Sequence, residues 1–419
     1  MKSLRNPSID GRPAARTWPN ADTFRAAAHC WIVIGTAAYL LDLWHQTWVG
    51  LTDGLGRPFG DDFINYWSAA KLATLQRVSE VYDMNAFNAF QETIVGATIE
   101  YFNYVGPIPF YHYSYSPAMI LLTLPLATIP YVPALAAWLV ASWYAFYRAL
   151  KLAAPNGALL LALATPAVFF NAVAGQNAFW TAALLGGGLC LLERRPVIAG
   201  IFFGLLVYKP HLALLFPVAL IAGRHWRAFL AASATVVVVL AASVLTFGLD
   251  LWVDHLRNAS YLRQVIMEDG EGIWHRMDSV FFAARRLGAG VELAYAVQAI
   301  STLAAAGVVA YAWFQDTSQH LRYSLLILGT WLATPYLLDY DLVACAFVVA
   351  WLSAQTGPAK EIPPRVVAIS ALILIAPLFS VTVGKWIGLS TGAFFLVPAF
   401  FLTAAMLPWR GPAPALSPR

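Results

Sequence analysis

This sequence predicts an all-α polytopic membrane protein: a bundle of about twelve transmembrane helices with interfacial or re-entrant helices on the outer face. Three observations lead there. The chain is 60% hydrophobic and 11% charged, with a mean hydropathy of +0.64, where soluble domains carry about 25% charged residues. Apolar segments of roughly membrane-spanning length recur from end to end. The basic residues are scattered through the short loops between these segments rather than gathered in a stripe, so the net charge of +4 does not point to nucleic acid.

The segments follow in order. Basic residues are spread over Lys2 to Arg25 without a convincing cleavable signal, and the apolar run that follows is long enough to be a retained first helix. The expected spans are 26–49, 131–150, 158–174, 178–192, 197–208, 210–223, 227–247, 290–313, 323–338, 341–356, 365–383 and 386–407. The two spans flanking Lys209-Pro210 are short and read as a broken hairpin, tolerated where the freed backbone faces protein or a wet cavity. Ser116 to Ile129 is apolar but short, holds Pro117 and Pro125, and reads as a re-entrant or interfacial helix. The whole of 1–419 is one integral membrane domain, with a first outer loop at 50–130 and a second large one at 248–289. Cys30, Cys190 and Cys345 each fall inside an apolar segment and have no metal-ligand or disulfide spacing. No internal repeat supports a two-fold transporter architecture.

Orientation follows from Lys and Arg in short loops. Arg148 to Lys151, Arg194-Arg195, Arg224 to Arg227, His320 to Arg322, Lys360 to Arg365, Arg410 and Arg419 all fall on one side, which is then the inside. The opposite face collects most of the unusual polar groups. It holds Asp61-Asp62, Gln176-Asn177, Lys209-Pro210-His211, His275-Arg276-Met277-Asp278 and Asp339-Tyr340-Asp341. Carboxylates at such a face can bind a cation, accept a proton from a nucleophile or simply be solvated. Asn85 to Tyr104 suits a helix lying in the interface. Tyr101, Phe102, Tyr104, Phe110, Tyr111, Tyr113 and Tyr115 form either an aromatic belt at headgroup level or a groove for a sugar or lipid.

Asp62-Phe63-Ile64-Asn65-Tyr66-Trp67-Ser68-Ala69-Ala70, followed by Val81-Tyr82-Asp83, resembles the first outer loop of glycosyltransferase family 87, polytopic enzymes of the GT-C class. Tyr115-Ser116-Pro117, Gly175-Gln176-Asn177, Gly204 to Lys209-Pro210, and Met277-Asp278-Ser279-Val280 resemble later elements of that family in the same order. Thr334-Pro335-Tyr336-Leu337-Leu338-Asp339-Tyr340-Asp341 departs from it, since relatives carry a His-containing string there.

The resemblance implies a GT-C-like bundle and a membrane glycosyltransferase of the cell envelope. Such an enzyme moves a sugar (a hexose such as mannose, or a pentose) from a polyprenyl phosphate donor to a lipid or glycan acceptor. It would sit in the bacterial inner membrane with its site facing the periplasm. Asp62 matches the family's general base, acting with inversion at the anomeric centre, and Asp61 is the second candidate. The alternative for either acid is to cap the following helix. Lys209 is the first candidate for the donor phosphate, because a cation at a helix break near membrane depth is expensive unless paired; snorkelling is its alternative. Arg276 is the second candidate, and His211 can join them. Gln176, Asn177, His275, Asp341 and Tyr66 are the candidate sugar or acceptor contacts, and Asp341 can also hold Lys209 or Arg276. For Gln176 and Asn177 the alternative is a simple turn. No cofactor is expected, and no metal, since no oxygen-ligand loop has a recognisable spacing. The expected partners are donor, acceptor and membrane lipids, not nucleic acid. A transporter or flippase of a lipid-linked saccharide is the reading from another class.

Overall fold

The computed structural model describes residues 21–99, 109–270, 273–315, 317–355 and 362–408. Tyr101, Phe102, Tyr104, Lys360, Arg410 and Arg419 lie outside them. Among the described residues the elements are helical, apart from isolated bridges. Apolar composition makes the helices; proline and glycine decide where they stop.

Helix α1 spans Ala21–His45, α2 Phe63–Thr74 and α3 Met84–Val95. Asp83 caps α3 by accepting from the Asn85 and Ala86 amides, and Gly96 closes it in the left-handed region at φ +69°. The helix expected to run from Asn85 toward Tyr104 therefore stops early. α4 (Pro117–Thr123) passes through a 3-10 turn, Leu124–Thr128, and bends by 119° into α5 (Tyr131–Ala153). Pro125 and Pro130 remove amide donors at this bend.

The expected span 158–174 is two pieces, α6 (Ala158–Ala164) and α7 (Pro166–Val173), parted at Pro166. α8 (Ala178–Leu191) and α9 (Pro196–Leu205) follow, and two 3-10 turns flank Lys209 before α10 (Phe216–Ala222). The break expected at Lys209-Pro210 is thus present. Next come α11 (Trp226–Phe247), α12 (Leu249–Leu262), α13 (Val280–Arg286) and α14 (Val291–Phe314). α15 (Gln319–Ala333) ends where Pro335 pushes Thr334 out of the helical region. A 3-10 turn, Asp339–Ala344, leads into α16 (Cys345–Ala354). α17 (Pro364–Phe379) continues through a π turn, Ser380–Gly384, to the single turn α18 (Lys385–Ile387), and α19 covers Gly392–Ala404.

Among the described residues, four helices are long and apolar enough to cross a membrane: Arg25–His45, Trp226–Phe247, Val291–Phe314 and Pro364–Ile387; the bent pair Pro117–Thr128 and Tyr131–Ala153 makes a fifth if it is one span. Of the about twelve transmembrane helices expected, four or five are thus present as long apolar helices among the described residues. The other apolar runs are interrupted by Pro166, Pro210 and Pro335, or form helices of 10–17 residues.

Packing places α2 inside the protein. Phe63, Ile64, Tyr66 and Trp67 are buried against Tyr131, Leu135 and Trp138 of α5. Tyr111 and Tyr113 are buried as well, so these two rings belong to the core rather than to a headgroup belt. α1 is the contrast: Val33, Ile34, Leu40, Leu41 and Trp44 are all exposed.

Candidate active site

The turn before α2 is held by backbone. Gly60 and Asp61 both take left-handed φ, +79° and +49°, and the Asp62 amide donates to the Ala174 carbonyl at 3.1 Å. Gly175 (φ +57°) packs so closely that a Cβ there would lie 2.3 Å from the Gly60 carbonyl oxygen. Trp138 Nε1 donates to the Gly175 carbonyl at 3.1 Å. The loop after α7 is thereby pressed against the start of α2, bringing Gln176 to Asp62.

Gln176 Nε2 donates to Asp62 Oδ2 at 2.8 Å. Its Oε1 accepts from Tyr66 at 2.5 Å and from Tyr115 at 3.2 Å. Tyr66 lies four residues beyond Asp62, on the same face of α2. Asn177 Nδ2 donates to the same two hydroxyls, at 3.0 and 2.9 Å, and Asn177 Oδ1 accepts from Lys209 Nζ at 3.2 Å. Lys209 pairs with Asp341 at 2.5 Å, with side chains 3% and 0% exposed. One continuous network thus runs from Asp62 through Gln176, the two tyrosines, Asn177 and Lys209 to Asp341.

Arg276 stands beside this network. It makes a two-pronged pair with Asp339, both contacts 3.0 Å. The Tyr340 ring lies against both cations, 5.2 Å from Lys209 and 5.8 Å from Arg276. The Arg276 side chain is 19% exposed, so it is the more open of the two. A short bridge between Met277 and Leu338, with Asp278 N donating to the Leu337 carbonyl at 2.7 Å, fixes the two loops together.

Asp62 is half-buried by surface yet packed round by protein. Burial first, and the Asp61 charge second, push its carboxyl up to about 7; the Gln176 hydrogen bond and the charges of Arg276 and Lys209 pull the other way. Its Oδ1 accepts no hydrogen bond from a described residue. The capping expectation is corrected for both acids. Asp62 occupies the position before α2 but makes no capping bond, because its side chain turns to Gln176. Asp61 turns to Arg57 Nε at 3.0 Å and the Tyr111 hydroxyl at 2.6 Å.

Of the remaining candidates, His211 meets Tyr336 edge-on at 5.9 Å, and its buried Nε2 has no partner among the described residues. His275 lies half-buried in the turn Trp274–Arg276. Sequence reasoning missed Arg57, and it set Asp339 and Tyr340 on the polar face and Tyr115 in a motif without giving any of the three a part in the site. Arg57 stands four residues before Asp61, a spacing that signals a pair only once the turn is known. Asp278, noticed only as part of a motif, is buried, hydrogen-bonded to Ser380, and pushed well above the usual carboxylate range by burial and by Asp339.

A family model of glycosyltransferase family 87 matches residues 113–335. The chain belongs to glycosyltransferase family 87. No curated protein and no solved structure matches it. The matched stretch of this family 87 member contains Tyr115, Gln176, Asn177, Lys209 and Arg276; Asp62 and Asp341 lie on either side of it. Family membership makes the protein a glycosyltransferase, and its long apolar helices make it a membrane protein.

Proposed function

We propose that this protein transfers a sugar from a polyprenyl phosphate donor to a lipid or glycan acceptor at the outer face of the bacterial inner membrane. Asp62 is the general base. It removes the proton of the acceptor hydroxyl as that oxygen bonds to the anomeric carbon. The bond from that carbon to the phosphate oxygen breaks, its electron pair leaves with the lipid phosphate, and the configuration inverts. The observation that carries this reading is the Asp62–Gln176 hydrogen bond at 2.8 Å. It occupies one carboxylate oxygen, leaves the other for the acceptor, and orients the base as proton transfer requires. A carboxyl near 7 is also matched to proton transfer at neutral pH.

The departing phosphate needs positive charge. Arg276 is the stronger candidate for direct contact, being partly exposed while Lys209 is enclosed with Asp341. Lys209 then contributes its charge from behind Tyr340. Gln176 and Asn177 act by orienting Asp62 and Lys209, and Tyr66 by holding Gln176. His211 and His275 are the further candidates for donor or acceptor contacts.

The test is to incubate the purified protein with radiolabelled polyprenyl phosphate sugars and a lipid extract, and look for a new glycosylated product. Asp62→Asn should abolish transfer without weakening donor binding. Transport of the lipid-linked sugar by a transfer-dead protein would favour the flippase reading. Cysteines placed near Gly60 and Asp341 should react with an impermeant thiol reagent from outside, and those near Arg195 and Arg227 only after the membrane is opened.

A further inference from the structure

Arg57 belongs to no element of the proposed chemistry, yet it engages two carboxylates at once. Its Nη1 and Nη2 donate to the two oxygens of Asp42, each at 2.8 Å, and its Nε donates to Asp61 Oδ2 at 3.0 Å. A second tie runs parallel to it. Gln46 Nε2 donates to Asp42 Oδ2 at 2.7 Å, and Gln46 Oε1 accepts from the Gly60 amide at 2.7 Å. Asp42 and Gln46 lie at the end of α1; Arg57, Gly60 and Asp61 form the turn that presents Asp62. Gly60 takes the left-handed region freely, so the conformational cost of this turn falls on Asp61. Both oxygens of Asp61 are consumed in holding it there, one by Arg57 and the other by Tyr111.

We propose that Arg57 is a positioning residue for Asp62: by gripping Asp42 and Asp61 together it locks the left-handed turn, sets how strongly the Asp61 charge is felt at the base, and fastens α1 to the site. This rests on Asp62 being the base, and it assigns Asp61 a supporting place rather than a share of the proton transfer. α1 needs such a fastening, since only 6% of its apolar span is buried inside the protein. The guanidinium suits the task because its planar fork engages one carboxylate with two nitrogens and still offers Nε to another, which an ammonium cannot reproduce. Besides the Gln176 hydrogen bond, the titratable and charged groups that act on Asp62 are Asp61 in its own turn, Tyr66 on α2, Tyr111 and Tyr115 before α4, Lys209, Arg276 and Tyr340. Arg57 reaches Asp62 through Asp61.

The test follows the proton on Asp62 in two ways, using the full chain in lipid nanodiscs. Infrared difference spectra titrate the protonated carboxyl without any substrate, the Asp62 band being assigned by its loss in Asp62→Asn. The pH–rate profile of sugar transfer gives the same midpoint under turnover. Arg57→Gln should move the midpoint up by on the order of one pH unit, because Asp61 loses its counter-charge. Asp61→Asn should move it down by a similar amount. In the double variant the upward shift should vanish, since no charge remains at Asp61 for Arg57 to offset. Arg57→Lys should restore part of the wild-type midpoint. If Arg57→Gln does not fold, Asp61→Asn and Arg57→Lys still decide the matter. Lowered turnover with an unmoved midpoint in these variants would reduce the clamp to scaffolding and overturn the proposal. Expected infrared shifts in a protein that transfers no sugar would leave the clamp standing and overturn the glycosyl-transfer reading instead.

Discussion

Lys209 Nζ lies 2.5 Å from Asp341 Oδ1, and both side chains are closed to solvent. Removing one partner of such a pair leaves a buried charge unpaired and costs about 3–5 kcal/mol, whereas replacing both by apolar groups is often neutral. Lys209→Met should therefore lower the melting temperature in detergent sharply. Lys209→Met combined with Asp341→Leu should recover most of it. Neither variant should transfer sugar, because both lack the charge behind Tyr340. Wild-type melting of the single variant would show that Asp341 is not held as a charge.

Gln176 orients Asp62 and is itself oriented by Tyr66 and Tyr115. Gln176→Leu removes the donor to Asp62 and takes the acceptor from the Tyr66 and Tyr115 hydroxyls, of which only one can then donate to the other, a loss of about 1–3 kcal/mol. Turnover should fall on the order of tenfold or more, on the usual scale for a misplaced base, with a smaller change in KM. Gln176→Glu sets a second carboxylate against the first, so the acid limb of the pH–rate profile should move to higher pH. Steady-state kinetics over a pH series checks both; unchanged profiles in the two variants would detach Gln176 from the base.

With Asp62 as the proposed base, activity and stability should respond to pH in opposite directions. Its carboxyl is raised from 3.8 to about 7, so between these values the folded protein binds a proton that the unfolded chain does not. Its contribution to stability is fully present below the unfolded value and is lost as pH rises through about 7. Transfer by the proposed mechanism needs the deprotonated form, so it should rise over that same final step. Asp62→Asn, neutral at every pH, should melt higher than wild type at pH ~8 and show no such advantage at pH ~4, following the same linkage. A melting difference independent of pH would mean that Asp62 is not protonated near neutrality.

Gly175 is required by contact and not only by conformation. A Cβ there would sit 2.3 Å from the Gly60 carbonyl and 2.8 Å from Phe63 Cβ, so Gly175→Ala must push the Asp62 turn away from Gln176. A displacement on the order of 1 Å at a reacting group can cost about 10²-fold in rate. Gly96 serves as the control: it has φ +69°, but a Cβ there would meet no described atom within 4 Å. Gly96→Ala bears the backbone strain alone and should keep most of the transfer activity. Equal losses in the two variants would assign the effect to strain.

The class of protein was legible in the residues themselves. Low charge and recurrent apolar runs dictate membrane helices wherever the chain goes, because backbone groups in lipid must satisfy one another. Local chemistry also placed the break at Lys209-Pro210 and the short piece after Ser116, since proline acts on its own neighbours. The motifs that carried the family resemblance brought Asp62, Gln176, Asn177 and Lys209 into view, and the polar groups gathered on one face brought Arg276, though not as a connected set. Hydropathy alone does not register a helix parted at Pro166 or ended before Pro335, so two of the expected spans are broken or shorter than drawn. What only the tertiary structure decided is who holds whom. Gln176 lies 114 positions from Asp62 and Asp341 lies 132 from Lys209, distances over which periodicity and propensity carry no information. Asp61 and Asp62 are adjacent and chemically identical, and they part ways only because the left-handed turn aims one at Arg57 and the other at Gln176.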